Sequence, residues 1–100
     1  MSEKNHLPLN IVKILTKITD EETMARLLFD LATPQELKSL QERLTIVSLL
    51  IQGNSYREIA KKVPSSIATV SRVARFLLNE PHGGYRFLVE NIETFAPQNA

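Results

Sequence analysis

Apolar residues recur at three- and four-residue spacing through nearly the whole chain, and no stretch shows the apolar–polar alternation of a half-buried strand. The pattern predicts an all-α fold, a helical bundle. Leu9, Ile11, Val12, Ile14, Leu15 and Ile18 make a broad stripe on a first helix, Leu7–Ile18. Asp20 caps a second helix, Glu21–Leu31, with Glu21 and Glu22 in the first turn, where carboxylates favour the positive end of the helix dipole. Its core face is expected at Met24, Leu27, Leu28 and Leu31.

The clearest start signal is Thr33-Pro34-Gln35-Glu36: a capping hydroxyl, a proline at the first helical position and a Glu three residues after the cap. Leu37, Leu40, Leu44, Val47, Leu50 and Ile51 then run at helical spacing to Gly53, a C-terminal stop. Ser55-Tyr56-Arg57-Glu58 is a second capping box. It opens a short helix carrying Ile59, Ala60 and Val63, which Pro64 ends. Another helix starts at Ser65 or Ser66 and carries Ile67, Val70, Val73, Ala74 and Leu77. After the break at Pro81-His82-Gly83-Gly84 a last helix is predicted over Tyr85–Phe95, with Phe87, Leu88 and Ile92 on its apolar side.

Composition removes several function classes. No cysteine is present, so there is no disulfide scaffold, thiol nucleophile or Cys-based zinc site. His6 and His82 lack the i, i+4 spacing of a helix-borne metal pair, and no metal is expected. The acidic group Asp20, Glu21 and Glu22 reads as dipole-favoured surface carboxylates. Three glycines leave no phosphate-cradling loop. Apolar runs such as Leu49-Leu50-Ile51 are far short of the ~20 residues that span a bilayer. The first 20 residues do not resemble a secretory signal. The chain therefore reads as cytoplasmic. No nucleophile–base arrangement can be assigned, and no enzyme is expected.

The net charge of +1 says little until it is divided along the chain. Residues 1–55 are net −1 and residues 77–100 net −2, while residues 56–76 carry Arg57, Lys61, Lys62, Arg72 and Arg75 against Glu58, net +4. The same segment has the pattern of a helix-turn-helix, in which the second helix enters the major groove. Ala60 lets the two helices cross closely, and Val63 and Val70 plug the angle between them. The DNA-facing candidates are Tyr56, Arg57, Lys61, Ser65, Ser66, Ile67, Ala68, Thr69, Ser71, Arg72 and Arg75. Phosphate attraction supplies most non-specific affinity for DNA, so basic charge on this segment is informative. Arg72 suits either a guanine edge or a phosphate. Tyr56 suits either the DNA backbone or a half-buried cap over the core. The competing account is a solvated surface helix in an ordinary bundle.

From Thr33 to about Asn91 the chain resembles the tryptophan repressor superfamily, in particular its YerC/YecD group. The landmarks are Thr33-Pro34-Gln35-Glu36, Arg43 with Ile46-Val47, Leu49-Leu50, Gly53 and Ser55-Tyr56-Arg57-Glu58-Ile59. The most specific is Ile67-Ala68-Thr69-Val70-Ser71-Arg72-Val73, close to the family's recognition-helix signature. Asn79 followed by Gly83-Gly84-Tyr85-Arg86 resembles the YerC/YecD side. Pro64 departs from the glycine usual in the turn.

The resemblance implies a bacterial, nucleoid-associated regulator. It would be a homodimer on double-stranded DNA, with interlocked N-terminal helices and two reading heads one DNA turn apart. On that basis residues 1–100 form one domain, with dimerisation helices over about 7–53, a helix-turn-helix over 55–78 and a C-terminal helix over 85–95. From pattern alone, the helices before Thr33 fit an intramolecular core equally well. The resemblance also implies an effector pocket at Thr33, Arg43, Arg72, Val73 and Phe76. Val73 and Phe76 stand where the family has glycine and a small polar residue, leaving no room for an indole. Tryptophan is therefore not expected as corepressor, and the pocket is either self-filled or takes another small molecule. The competing function is a helical protein-interaction module with weak, salt-insensitive affinity for DNA.

Overall fold

A computed structural model describes residues 11–79 and 82–92. Among them are six helices and no strand: α1 (Ile11–Leu15), α2 (Glu21–Leu31), α3 (Pro34–Ile51), α4 (Tyr56–Lys62), α5 (Ile67–Leu78) and α6 (Gly84–Asn91). The chain divides into two compact units, Met1–Leu37 and Lys38–Ala100, with the boundary in the first turn of α3.

Local bonds account for most of the helix ends. The Asp20 carboxylate accepts from the Thr23 backbone N–H and starts α2. At α3 the Thr33 hydroxyl accepts from Glu36 N–H over 3.0 Å, while the Glu36 carboxylate accepts from Thr33 N–H over 2.8 Å. Ser55 and Glu58 repeat this reciprocal pair at α4, and the Ser66 hydroxyl caps α5 through Thr69 N–H. Alpha3 stops at Gly53, whose φ of 94° only glycine adopts without strain. There Gly53 N–H closes on the Leu50 carbonyl and Asn54 N–H on that of Leu49, the paired bonds of a Schellman cap.

Several expectations need correction. The first helix does not run regularly to Ile18: α1 ends at Leu15, and Lys17 and Ile18 close tighter turns onto Ile14 and Leu15. Thr16 contributes, since its hydroxyl donates to the Lys13 carbonyl and competes with the helical ladder. The Leu7–Asn10 part of that helix lies outside the described residues. The last helix ends at Asn91, not Phe95: Ile92 is extended, and the Asn91 side chain donates to the Phe87 carbonyl. Residues 93–95 lie outside the described residues. Finally, Met24, Leu27, Leu28 and Leu31 are not buried in this chain; Leu31 is 58% exposed and the neighbouring Phe29 71%.

The second unit holds the buried core. Ile46 and Val47 of α3, Ile59 of α4, Val63, and Val70, Val73 and Leu77 of α5 form one cluster, flanked by Ala60, Tyr85 and Val89. Val63 and Val70 thus belong to the same buried cluster. On α3 the expected inward positions hold in part: Val47 is wholly buried and Leu37, Leu50 and Ile51 are half-buried, whereas Leu40 and Leu44 are exposed and Ile46, outside the expected set, is wholly buried. Alpha5 packs against both α4 and α6. No helix among the described residues is long and apolar enough to cross a membrane.

Candidate nucleic-acid interface

Burial of one side of α5 decides what its other side presents. Val70, Val73, Ala74 and Leu77 are buried, which leaves Ile67, Ala68, Arg72 and Arg75 exposed. Thr69 and Ser71 are half-buried between the two sides. The Ser66 and Thr69 hydroxyls lie 3.2 Å apart at the start of the helix. Tyr56, Arg57 and Lys61 of α4 are exposed as well. The two helices are joined by only four residues, Val63 to Ser66, with the Ser65 N–H closing on the Val63 carbonyl across Pro64. Such a short link, packed on a shared core, holds both basic faces in a fixed relation.

One DNA-facing candidate, Ser65, is otherwise engaged, and so is Lys62 of the basic segment. Ser65 is half-buried and its hydroxyl donates to the Glu42 carboxylate of α3 over 3.1 Å. Lys62 donates to the Asn54 side-chain oxygen over 2.9 Å, which holds its ammonium near the α3–α4 connection. Neither Glu42 nor Asn54 is recognisable from motif spacing, since each partner is remote along the chain. Glu58 has its carboxyl pKa lowered, first by the Ser55 backbone N–H that donates to it over 2.7 Å, then by the Ser55 hydroxyl and by Lys62 and Lys61. It therefore stays ionised beside the lysines and offsets part of their field.

The residues expected to line an effector pocket are dispersed in role. Thr33 belongs to the first unit and caps α3. Val73 is 1% exposed and points into the core cluster. Arg43 is half-buried on α3. Arg72 and Phe76 are in contact: the guanidinium carbon sits 4.4 Å from the centre of the Phe76 ring. A cation–π contact of this kind contributes about 0.5–1 kcal/mol when exposed. On its other neighbour, Phe76 meets His82 with ring centres 5.9 Å apart and planes tilted by 55°. Among the described residues no group of three or more His, Cys, Asp or Glu can hold a metal ion.

An all-α chain with a basic, exposed helix pair braced on a small core has the build of a DNA-binding regulator. The family model described as Trp repressor protein matches residues 9–92, and the chain belongs to that family of DNA-binding transcription regulators. It is also 33% identical over 79 residues to a Bacillus subtilis (strain 168) protein called Uncharacterized protein YerC, covering 79% of this chain and 75% of that one. No solved structure matches it.

Proposed function

We propose that this protein is a sequence-specific transcriptional repressor that binds a palindromic operator as a homodimer, with α4 and α5 as a helix-turn-helix and α5 in the major groove. The observation that carries the reading is the two-sidedness of α5, whose buried Val70, Val73 and Leu77 leave Arg72 and Arg75 exposed, as are Arg57 and Lys61 of the packed α4. Residues 56–76 hold a net +4 within a chain of net +1. Lys and Arg would neutralise phosphates and release counterions, while Thr69, Ala68 and Arg72 meet base edges. Repression needs no further chemistry, because an occupied operator excludes polymerase from an overlapping promoter.

The first unit supports a dimer. Ile11, Val12, Ile14, Phe29 and Leu31 are 45–71% exposed, and neither α1 nor α2 contains a buried residue. A second copy covers such faces by symmetry, since a 100-residue chain gains core by sharing it. Tryptophan is not the effector on this reading: Val73 belongs to the core and Phe76 is stacked under Arg72. Saturable heat on titrating tryptophan in a calorimeter would overturn that part.

The deciding experiment selects bound sequences from a random DNA library with purified protein, then measures affinity against salt. Two half-sites one turn apart and a steep loss of affinity with salt are expected. Weak binding with a flat salt dependence would favour the interaction-module reading instead.

A further inference from the structure

We infer that Phe76 is a positioning residue for DNA recognition: its ring holds the Arg72 guanidinium on the exposed side of α5, which makes Arg72 a reader of a base edge and leaves Arg75 to phosphate. The inference deepens the DNA-binding role proposed above and rests on it. The guanidinium carbon of Arg72 lies over the Phe76 ring, 4.4 Å from its centre, about one turn of α5 away. Among the described residues no hydrogen bond or ion pair engages Arg72, so the ring is what orders its charged end.

The ring itself is braced. Arg72 is exposed, whereas Phe76 is half-buried beside the core side of α5. His82 meets Phe76 with ring centres 5.9 Å apart, and Tyr85 and Leu88 of α6 line the same open hollow. Alpha5 packs against α6, so the platform under Arg72 belongs to the packed second unit.

The chemistry of the pair decides what Arg72 does. A guanidinium over a ring uses its face and keeps its N–H edge, where its hydrogen bonds are made. Stacking on Phe76 and bonding to DNA are therefore compatible. A guanine edge needs two N–H groups in one orientation, whereas a phosphate accepts from many directions. Fixing the guanidinium beforehand removes part of the ordering cost of binding, and does so for the contact in which orientation discriminates. Arg75 gives the contrast: it is also exposed, and among the described residues no ring lies under it. Its freedom suits attraction to phosphate, which carries no sequence information. The orientation of Arg72 is set by this chain, and no bound molecule is needed to supply it.

The test uses the full chain and the operator returned by selection from random DNA, with no small molecule added. Phe76→Leu removes the ring and keeps an apolar side chain, while Phe76→Tyr keeps the ring. Circular dichroism first checks that both are helical, and Phe76→Met replaces Phe76→Leu if that variant is not. Discrimination is the ratio of affinities for the operator and for its variant at the base pair where Arg72→Ala relaxes the choice. Phe76→Leu is expected to lower the ratio by about two- to tenfold, the scale for ordering one long side chain. Phe76→Tyr should keep the wild-type ratio, and Arg75→Ala should lower both affinities and leave the ratio unchanged. In an Arg72→Ala chain, Phe76→Leu should alter the ratio no further. Without DNA, the Arg72 Nε–H resonance should carry the ring-current shift of the stack in the wild type and lose it in Phe76→Leu. An unchanged ratio in Phe76→Leu, an equal fall in Phe76→Tyr, the same fall in the Arg72→Ala chain, or no ring-current shift in the wild type overturns the proposal. In each of those results DNA binding itself can stand. A wild-type chain with no affinity for any DNA removes the function proposed above and this role with it.

Discussion

The Ser65 hydroxyl donates to the Glu42 carboxylate across 3.1 Å and 23 positions of sequence. This bond ties the turn ahead of α5 to α3, the longest helix of the chain. It sets the approach of α5 from outside the α4–α5 pair itself. Removing the hydroxyl leaves a half-buried carboxylate short of a donor. Ser65→Ala is expected to lower stability by about 1 kcal/mol in urea unfolding. A double-mutant cycle with Glu42→Ala should show the two changes to be less than additive.

Arg72 and Lys61 should fail differently on DNA. Arg72→Ala is expected to weaken specific binding by about 1–3 kcal/mol and to relax discrimination at one base position. Lys61→Ala should weaken all sequences alike and reduce the salt slope by about one. Fluorescence anisotropy at several salt concentrations separates the two. Unchanged operator affinity for Arg72→Ala would refute its assigned role.

The exposed apolar residues of the first unit give a prediction about assembly. Phe29 is 71% exposed on α2, so a charge there costs a lone chain almost nothing. At a dimer interface the same charge would be buried without a partner. Phe29→Asp should therefore convert a dimer to monomer in sedimentation velocity while the melting of an isolated chain hardly changes. A wild-type chain that is already monomeric at high concentration would contradict the dimer.

Glu58 links the start of α4 to pH. Its folded pKa lies below the ordinary 4.5, chiefly because Ser55 N–H donates to the carboxylate. A group depressed on folding stabilises the native state above its unfolded pKa. That contribution is lost as pH falls from 4.5 through the lower folded value. Glu58→Gln keeps an acceptor but does not titrate. The wild type should consequently lose more stability than Glu58→Gln between pH 6 and pH 3, measured by urea midpoints. Asp20, lowered by the Thr23 backbone N–H, titrates in both proteins and cancels from the difference.

Most helix starts were legible along the chain because the bonds that make them are short-range. Asp20 with Thr23, Thr33 with Glu36, Ser55 with Glu58 and Ser66 with Thr69 all join residues three apart. Gly53 marks a stop for the same reason, its left-handed φ being a property of one residue. The basic charge on residues 56–76 and the inward positions Val63, Val70 and Val73 could be read in the same way.

What covers each apolar face was not legible, since periodicity names residues that share a side and not the surface that meets it. Tertiary structure buried Ile46 and left Leu40 and Leu44 exposed on one helix, and it left α2 without a buried residue. It also turned Ser65 toward Glu42 and opened a ring-lined cavity where α6 meets α5. Sequence determined where the helices begin and where the positive charge lies, through bonds and charges local to a few residues. The tertiary structure decided which of the apolar faces are covered, because burial depends on packing partners far apart in the chain.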